Sequence, residues 1–489
     1  MKLYDSRPGA NLNRLRFWLL AALLFVSYAY FYQGGGWNQN SRFDLIRAIV
    51  EEHTLNIDSY HENTLDKAHI NGHYYSDKSP GLAFLALPAI YIARPILNAA
   101  GIYPTSSVGL IALSYAATIF SVALPSAIAF AGLLTVAIRL GATAESATFA
   151  AVSLGLATPM WAYATLLWGH ALAGACLLLS FWAILGLRDT RRSSKAFWVA
   201  TLGGLLAGWA TLSEYPAAPA SAILAMLALA LVRDDKARLL ATLCGIAIGA
   251  GLCVTILMAY QYRAFGSALR PSYSYYDPGA FPWMRHGLLG ITYPRIDVAF
   301  KLLFGGRRGL FPIAPVLIAA PFGLRALWKS IFRLPAIAAA AIAMYYWLFN
   351  AAFPAWHGGW SYGPRYMAAG IPLLAIGLAP ARDAAPQKRR KLLTVLSGVS
   401  VLFTLSAVAT SVQPVEGVKF PLIQICIANF VRGNLALDRG TFLDPVGVQP
   451  ESIGGSFNIG QLVGLHGLAS LIPLLVVWSL AGWWFYRRR

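Results

Sequence analysis

Long apolar runs alternate with short basic connections from about residue 17 to residue 486. Most runs hold about 18–24 residues, enough to cross a hydrocarbon core of ~30 Å. Backbone polar groups in lipid must pair within their own segment, so the predicted spanning elements are helices. No A-x-A-like cleavage site follows the first run, 17–32, and it reads as a retained span.

The connections give a topology. Basic clusters occur at the start of the chain, at 188–195, 233–238, 325–333 and 382–391, and at the end. The positive-inside rule puts each of them in the cytoplasm. With every apolar run counted as a span, the parity fails. It is restored if 82–98, which is short and holds Pro88, Pro95 and Arg94, is re-entrant or interfacial. The expected spans are then about twelve, with both termini cytoplasmic: 17–33, 107–138, 144–160, 167–187, 196–213, 215–232, 239–261, 309–328, 334–353, 364–381, 392–412 and 462–485. Pro125 should kink the second. The outer face receives 34–81, 159–170, 262–308, 354–363 and 413–461. No internal repeat is visible, and residues 1–489 read as one all-α, polytopic membrane domain.

Composition agrees. Hydrophobic residues make up 57% of the 489 and charged ones 12%, too few to cover a soluble protein of this size. The net charge of +19 would suggest nucleic acid in a soluble chain, but here the cations sit in the short loops, so no nucleic-acid partner is expected. Cys176, Cys244, Cys253 and Cys426 suggest neither a disulfide framework nor a thiolate metal site.

The first outer loop, 34–81, concentrates chemistry. It carries seven of the twenty acids and four of the eight histidines (His53, His61, His69 and His73). Within RFDLIRAIVEEHTL, the spacing of Phe43, Ile46, Ile49 and Val50 predicts an amphipathic helix on the membrane surface. Most charges of a polar loop simply solvate it. Asp77-Lys78, set against the membrane before Pro80-Gly81, is the exception: a carboxylate there can take a proton from a hydroxyl while a cation holds a phosphate. His69 and His73 are four residues apart, but no H-E-x-x-H motif occurs, and no metal is indicated.

The order of a span, an outer helix beginning near Arg42, and Tyr74-Tyr75-Ser76-Asp77-Lys78-Ser79-Pro80 before an apolar helix resembles the GT-C glycosyltransferases. The nearer branch is that of protein O-mannosyltransferases and lipid A aminoarabinose transferases. Their acidic-Lys-Pro-Pro motif matches Asp77-Lys78-Ser79-Pro80, and the helix after it stays at the interface. The resemblance implies a GT-C fold, a carboxylate base in the first loop, and a lysine on the lipid phosphate, here Lys78. The family's acid a few residues before Arg42 is missing, since Asn38-Gln39-Asn40-Ser41 stands there. The base is therefore Asp44, Asp66 or Asp77. The oligosaccharyltransferase branch uses a divalent metal and the nearer branch generally does not, so no cofactor is assigned.

Other outer segments supply ligand candidates. Arg307 and Arg308 follow a Gly-Gly pair on the side where the positive-inside rule disfavours cations, and Arg365 precedes an apolar run; all three are donor-phosphate candidates. Lys67, Tyr75, His170, Glu214, His357 and Tyr362 are substrate-binding candidates. The expected activity is inverting transfer of a sugar from a polyprenyl-phosphate donor to a hydroxyl of a glycan, lipid or protein acceptor. The site would face outward from the cytoplasmic membrane, with membrane lipids as further partners. The absence of an N-x-[ST] sequon fits a bacterial inner membrane. The rival readings are a transporter or flippase of lipid-linked saccharide, and a surface-polysaccharide polymerase or ligase of another fold. A transporter should hold its ionisable groups near the midplane on repeated halves.

Overall fold

The computed structural model describes residues 10–276, 279–438 and 455–487. Among these residues the chain is almost entirely helical, with two short two-stranded sheets. Ten helices are long and apolar enough to cross a membrane, which makes this a multi-pass membrane protein. The expected number was about twelve: nine of those are among the ten, the tenth is Gly81–Ala99, and three predicted spans break into shorter pieces. The span at 144–160 is helical over Ala144–Leu156 and resumes only at Met160–Ala164. The one at 309–328 divides into Leu310–Ile313, Pro315–Ala319 and Ala320–Trp328. The one at 364–381 divides into Arg365–Gly370, Ile371–Ala375 and Leu378–Asp383. Pro159, Pro315 and Pro372 stand at these breaks, where each removes a backbone donor.

The segment expected to be re-entrant is one unbroken helix, Gly81–Ala99, despite Pro88 and Pro95. It meets the same length and hydropathy standard as the other nine, so those properties do not set it apart as the charge parity did. The helix Ser107–Arg139 absorbs Pro125 through a wider π turn at Ile119–Ala123 just ahead of it. Ser193–Ser213 and Lys236–Phe265 pack with backbones in near contact. An added Cβ on Gly249 would lie 2.1 Å from the Thr201 carbonyl oxygen, and one on Gly204 would lie 2.8 Å from that of Ile246.

The first loop folds against the helical body. The helix Trp37–Arg47 runs into a π turn, Ala48–Glu52, and stops where His53 adopts a left-handed conformation, φ 56°. It is not the surface amphipathic helix that its apolar spacing predicts. Every residue from Asn38 to Ile46 is buried, polar and apolar alike, because the polar face finds partners in the protein. Lys67–Ile70 and His73–Ser76 then form a hairpin. Its two-residue turn, Asn71-Gly72, has φ of 52° and 81°, the pairing a type I′ turn requires. The hairpin returns the chain at Asp77.

Candidate active site

A cavity of about 1090 Å³ opens where the first loop meets the ends of the helices. One wall is apolar and aromatic, with Phe281, Trp283, Met284, Tyr345, Phe349 and Phe353. Another part of the lining is polar, with Asp66, Asp77, Lys78, His170, Glu214 and Arg365. The structure thus gathers six of the sequence candidates into one space, three from the first loop and one each from three other segments. His357 lines it as well.

The chain after the hairpin is pinned before it enters its helix. The Ser79 hydroxyl donates to the Leu212 carbonyl at 2.7 Å, and the Ser272 hydroxyl donates to the Asp77 carbonyl at 2.5 Å. Gly81 packs on Leu212 so closely that an added Cβ would lie 2.6 Å from its backbone. The side chains of Asp77 and Lys78 are therefore presented from a fixed backbone.

Lys78 Nζ sits between two carboxylates, 2.9 Å from Asp66 Oδ2 and 3.0 Å from Asp77 Oδ2. Burial pushes the Asp77 carboxyl up to about 6; Lys78 opposes that rise and Asp66 adds to it. Burial works against the Lys78 ammonium, but Asp66 and Asp77 outweigh it and hold its pKa above the ordinary lysine value. With both acids ionised the trio carries one net negative charge. Tyr273 stands beside it, its ring 5.8 Å from Nζ.

A second chain of buried groups crosses the polar wall. Arg42 donates from Nη2 to Glu214 Oε1 at 2.7 Å, from Nε to Asn38 at 3.1 Å and from Nη1 to the Ser79 carbonyl at 3.2 Å. Glu214 Oε1 lies 3.4 Å from His170 Nδ1, and Arg365 Nε donates to His170 Nε2 at 3.0 Å. The Arg365 guanidinium lies 4.2 Å above the Trp168 ring, and Trp168 Nε1 donates to Gln39 Oε1 at 2.7 Å. Gln39 thus occupies, as a neutral amide, the stretch where the resembled family carries an acid.

The remaining candidates lie elsewhere. Asp44 is fully buried outside the cavity lining; Asn63 donates to its Oδ1 at 3.1 Å, and its Oδ2 has no partner. Burial raises its pKa well above the ordinary value, and the Asn63 hydrogen bond opposes that rise. Arg308 is buried, and it donates to the carbonyls of His357 at 2.8 Å, Gly359 at 2.6 Å and Arg307 at 3.1 Å. Arg307 donates to the Glu416 carbonyl at 2.5 Å. Neither arginine lines the cavity. Arg308 ties down the loop that carries His357, and Arg307 ties down the segment of Glu416. Lys67 donates to the His61 carbonyl at 2.8 Å, Tyr75 packs on Phe265 at 5.3 Å between ring centroids, and the Tyr362 carbonyl accepts from Tyr163 at 2.6 Å. All three sit outside the lining.

Sequence reasoning did not single out Gln39, Tyr273, Gln413, Glu416 or Asp438, which all line the cavity. Asp438 is buried and accepts from the Ser411 hydroxyl at 2.5 Å and from the Val412 and Gln413 amides, in a segment where neither periodicity nor motif marks it. Glu416 lies 3.1 Å from His357 Nδ1. Among the described residues no three His, Cys, Asp or Glu side chains gather as a metal site. The first-loop histidines have other partners: His61 and His69 stack on Tyr74, and His73 lies 2.7 Å from Asp58.

No protein-family model matches the chain, and no curated protein matches it. Solved structures do. ArnT from Cupriavidus metallidurans in the apo state aligns with a TM-score of 0.52 at 16% identity, over 87% of this chain and 68% of that one. The same protein bound to undecaprenyl phosphate aligns with a TM-score of 0.52 at 14% identity, over 87% and 69%. The Archaeoglobus fulgidus oligosaccharyltransferase in the apo form is more distant, with a TM-score of 0.45 at 12% identity over 83% and 55%. This chain therefore has the GT-C membrane fold that ArnT adopts, the fold its first loop resembles.

Proposed function

We propose that the protein is a membrane glycosyltransferase that moves a sugar from a polyprenyl-phosphate donor to an acceptor hydroxyl. One observation carries the reading: a single cavity pairs an aromatic, apolar wall with buried carboxylates and two cations, Lys78 and Arg365. A lipid-linked sugar phosphate needs those two surfaces together. The ArnT structure with bound undecaprenyl phosphate supports a lipid of that class here.

In this reading Arg365 and Lys78 face the donor phosphate. Lys78 has two donors engaged by Asp66 and Asp77, which leaves a third for the ligand. Asp77, or Asp66 across Lys78, takes the acceptor proton as the acceptor oxygen bonds to the anomeric carbon. The bond from that carbon to the phosphate oxygen breaks, and its electron pair leaves with the polyprenyl phosphate. A single displacement inverts the configuration. An Asp77 raised to about 6 is a stronger base than an ordinary carboxylate, yet ionised at neutral pH. Because nucleotide sugars do not reach the outer side, a lipid carrier suits a site at the outer face of the cytoplasmic membrane.

The test is transfer of radiolabelled sugar from a polyprenyl-phosphate donor by the purified protein, with Asp77→Asn and Lys78→Ala alongside. Loss of product in both variants supports the reading. Full transfer in both refutes this site. Translocation of the sugar lipid in liposomes with no glycosidic product refutes the enzyme and favours a transporter.

A further inference from the structure

We infer that His170, held by Glu214, is a positioning residue that aims Arg365 at a phosphate. This inference rests on the function proposed above. The geometry fixes the histidine's tautomer. A guanidinium only donates, so His170 Nε2, 3.0 Å from Arg365 Nε, offers a lone pair. The ring proton is then on Nδ1, which faces Glu214 Oε1 at 3.4 Å. Glu214 is anchored in turn by the buried Arg42 at 2.7 Å.

Three elements build this relay, and each is shaped for it. His170 lies in the first turn of the helix Gly169–Leu185, and Glu214 follows the last residue of Ser193–Ser213. Gly169 lets the two meet, since an added Cβ would lie 2.4 Å from Glu214 Oε1. Arg365 opens the turn Arg365–Gly370, its Nη1 donating to the Gly358 carbonyl at 3.2 Å. With Nε on His170, Nη1 on Gly358 and the ring of Trp168 beneath, the guanidinium plane is fixed, and among the described residues Nη2 has no hydrogen-bond partner. Arg365 lines the cavity, so the N–H donors of Nη2 are the ones available to a ligand there. A lysine could not reproduce this arrangement, because it lacks the planar fork.

The test is binding of undecaprenyl phosphate to the full-length protein in nanodiscs, together with donor KM and kcat. Wild type, His170→Phe, His170→Gln, Glu214→Gln and Arg365→Ala are compared, each checked for folding by its unfolding transition. His170→Phe removes the acceptor and should weaken binding about tenfold or more, the size of a hydrogen bond to a charged group. His170→Gln restores an acceptor and should recover binding to within about threefold, with most of the change in KM. Glu214→Gln should fall between the two. Folded His170→Phe that binds like wild type overturns the inference, even if transfer persists. So does His170→Gln failing as badly as His170→Phe. Relay-dependent binding without any sugar transfer by wild type upholds the inference and refutes only the glycosyltransferase reading. Absence of binding by wild type refutes both.

Discussion

Two cationic regions of the outer loops look alike in sequence and differ in space. Lys78 sits between Asp66 and Asp77 on the wall of a large cavity. Arg308, more deeply buried, donates to three main-chain carbonyls and does not line that cavity. On the topology expected from charge, both are cations where the positive-inside rule disfavours them. The difference teaches that an unexpected charge marks a site only when donors remain after the backbone has been served. Arg365 belongs with Lys78 by that measure, and Arg307 with Arg308.

The largest expected effect is on the Lys78 side. Asp77→Asn should lower transfer by about 10²–10⁴-fold if Asp77 is the base, read as kcat under saturating donor. If Asp66→Asn has that effect and Asp77→Asn does not, the roles of the two acids are exchanged. Arg365→Ala should cost about 10–100-fold in kcat/KM for the donor, from loss of a charge-assisted contact.

The contrast predicts the opposite pattern for Arg308→Ala. Three carbonyls lose their donor, so stability should fall by about 1–3 kcal/mol in an unfolding assay. Donor KM at a temperature where the variant is folded should change little. A large rise in KM with unchanged stability would return Arg308 to the phosphate site.

Asp77 also links activity and stability to pH, with opposed signs. Its folded value of about 6 lies above the ordinary 3.8, so it favours folding most at acidic pH, and that contribution is lost as pH rises through about 6. Transfer needs the ionised base, so the rate should climb over the same window, and Asp77→Asn should flatten the pH dependence of stability. The smallest effect is expected at Asp44. It does not line the cavity, so Asp44→Asn should leave transfer intact, read as kcat under saturating donor.

Much of this was legible in the chain. Hydrophobic run length exposed the helices, and Asp77-Lys78 before Pro80-Gly81 stood out as a charged pair where the chain turns into a helix. The broken spans were less legible, because hydropathy averages over Pro159, Pro315 and Pro372 while the backbone does not. The helix Trp37–Arg47 misled for a related reason. Apolar spacing describes one face, and only the partners of the other face, Glu214 and Trp168 among them, decide whether water or protein covers it. Arg307 and Arg308 were unreadable because their acceptors, the carbonyls of 357, 359 and 416, are remote in sequence.

The central claim is that Lys78 and Arg365 face one phosphate across the cavity. The most direct measurement is a cryo-electron microscopy structure of the full chain with undecaprenyl phosphate. The account expects phosphate density within hydrogen-bond reach of Lys78 Nζ and Arg365 Nη2, with the prenyl chain along Trp283, Tyr345 and Phe349. A headgroup seated on Arg307 and Arg308, with the cavity unoccupied, would contradict it.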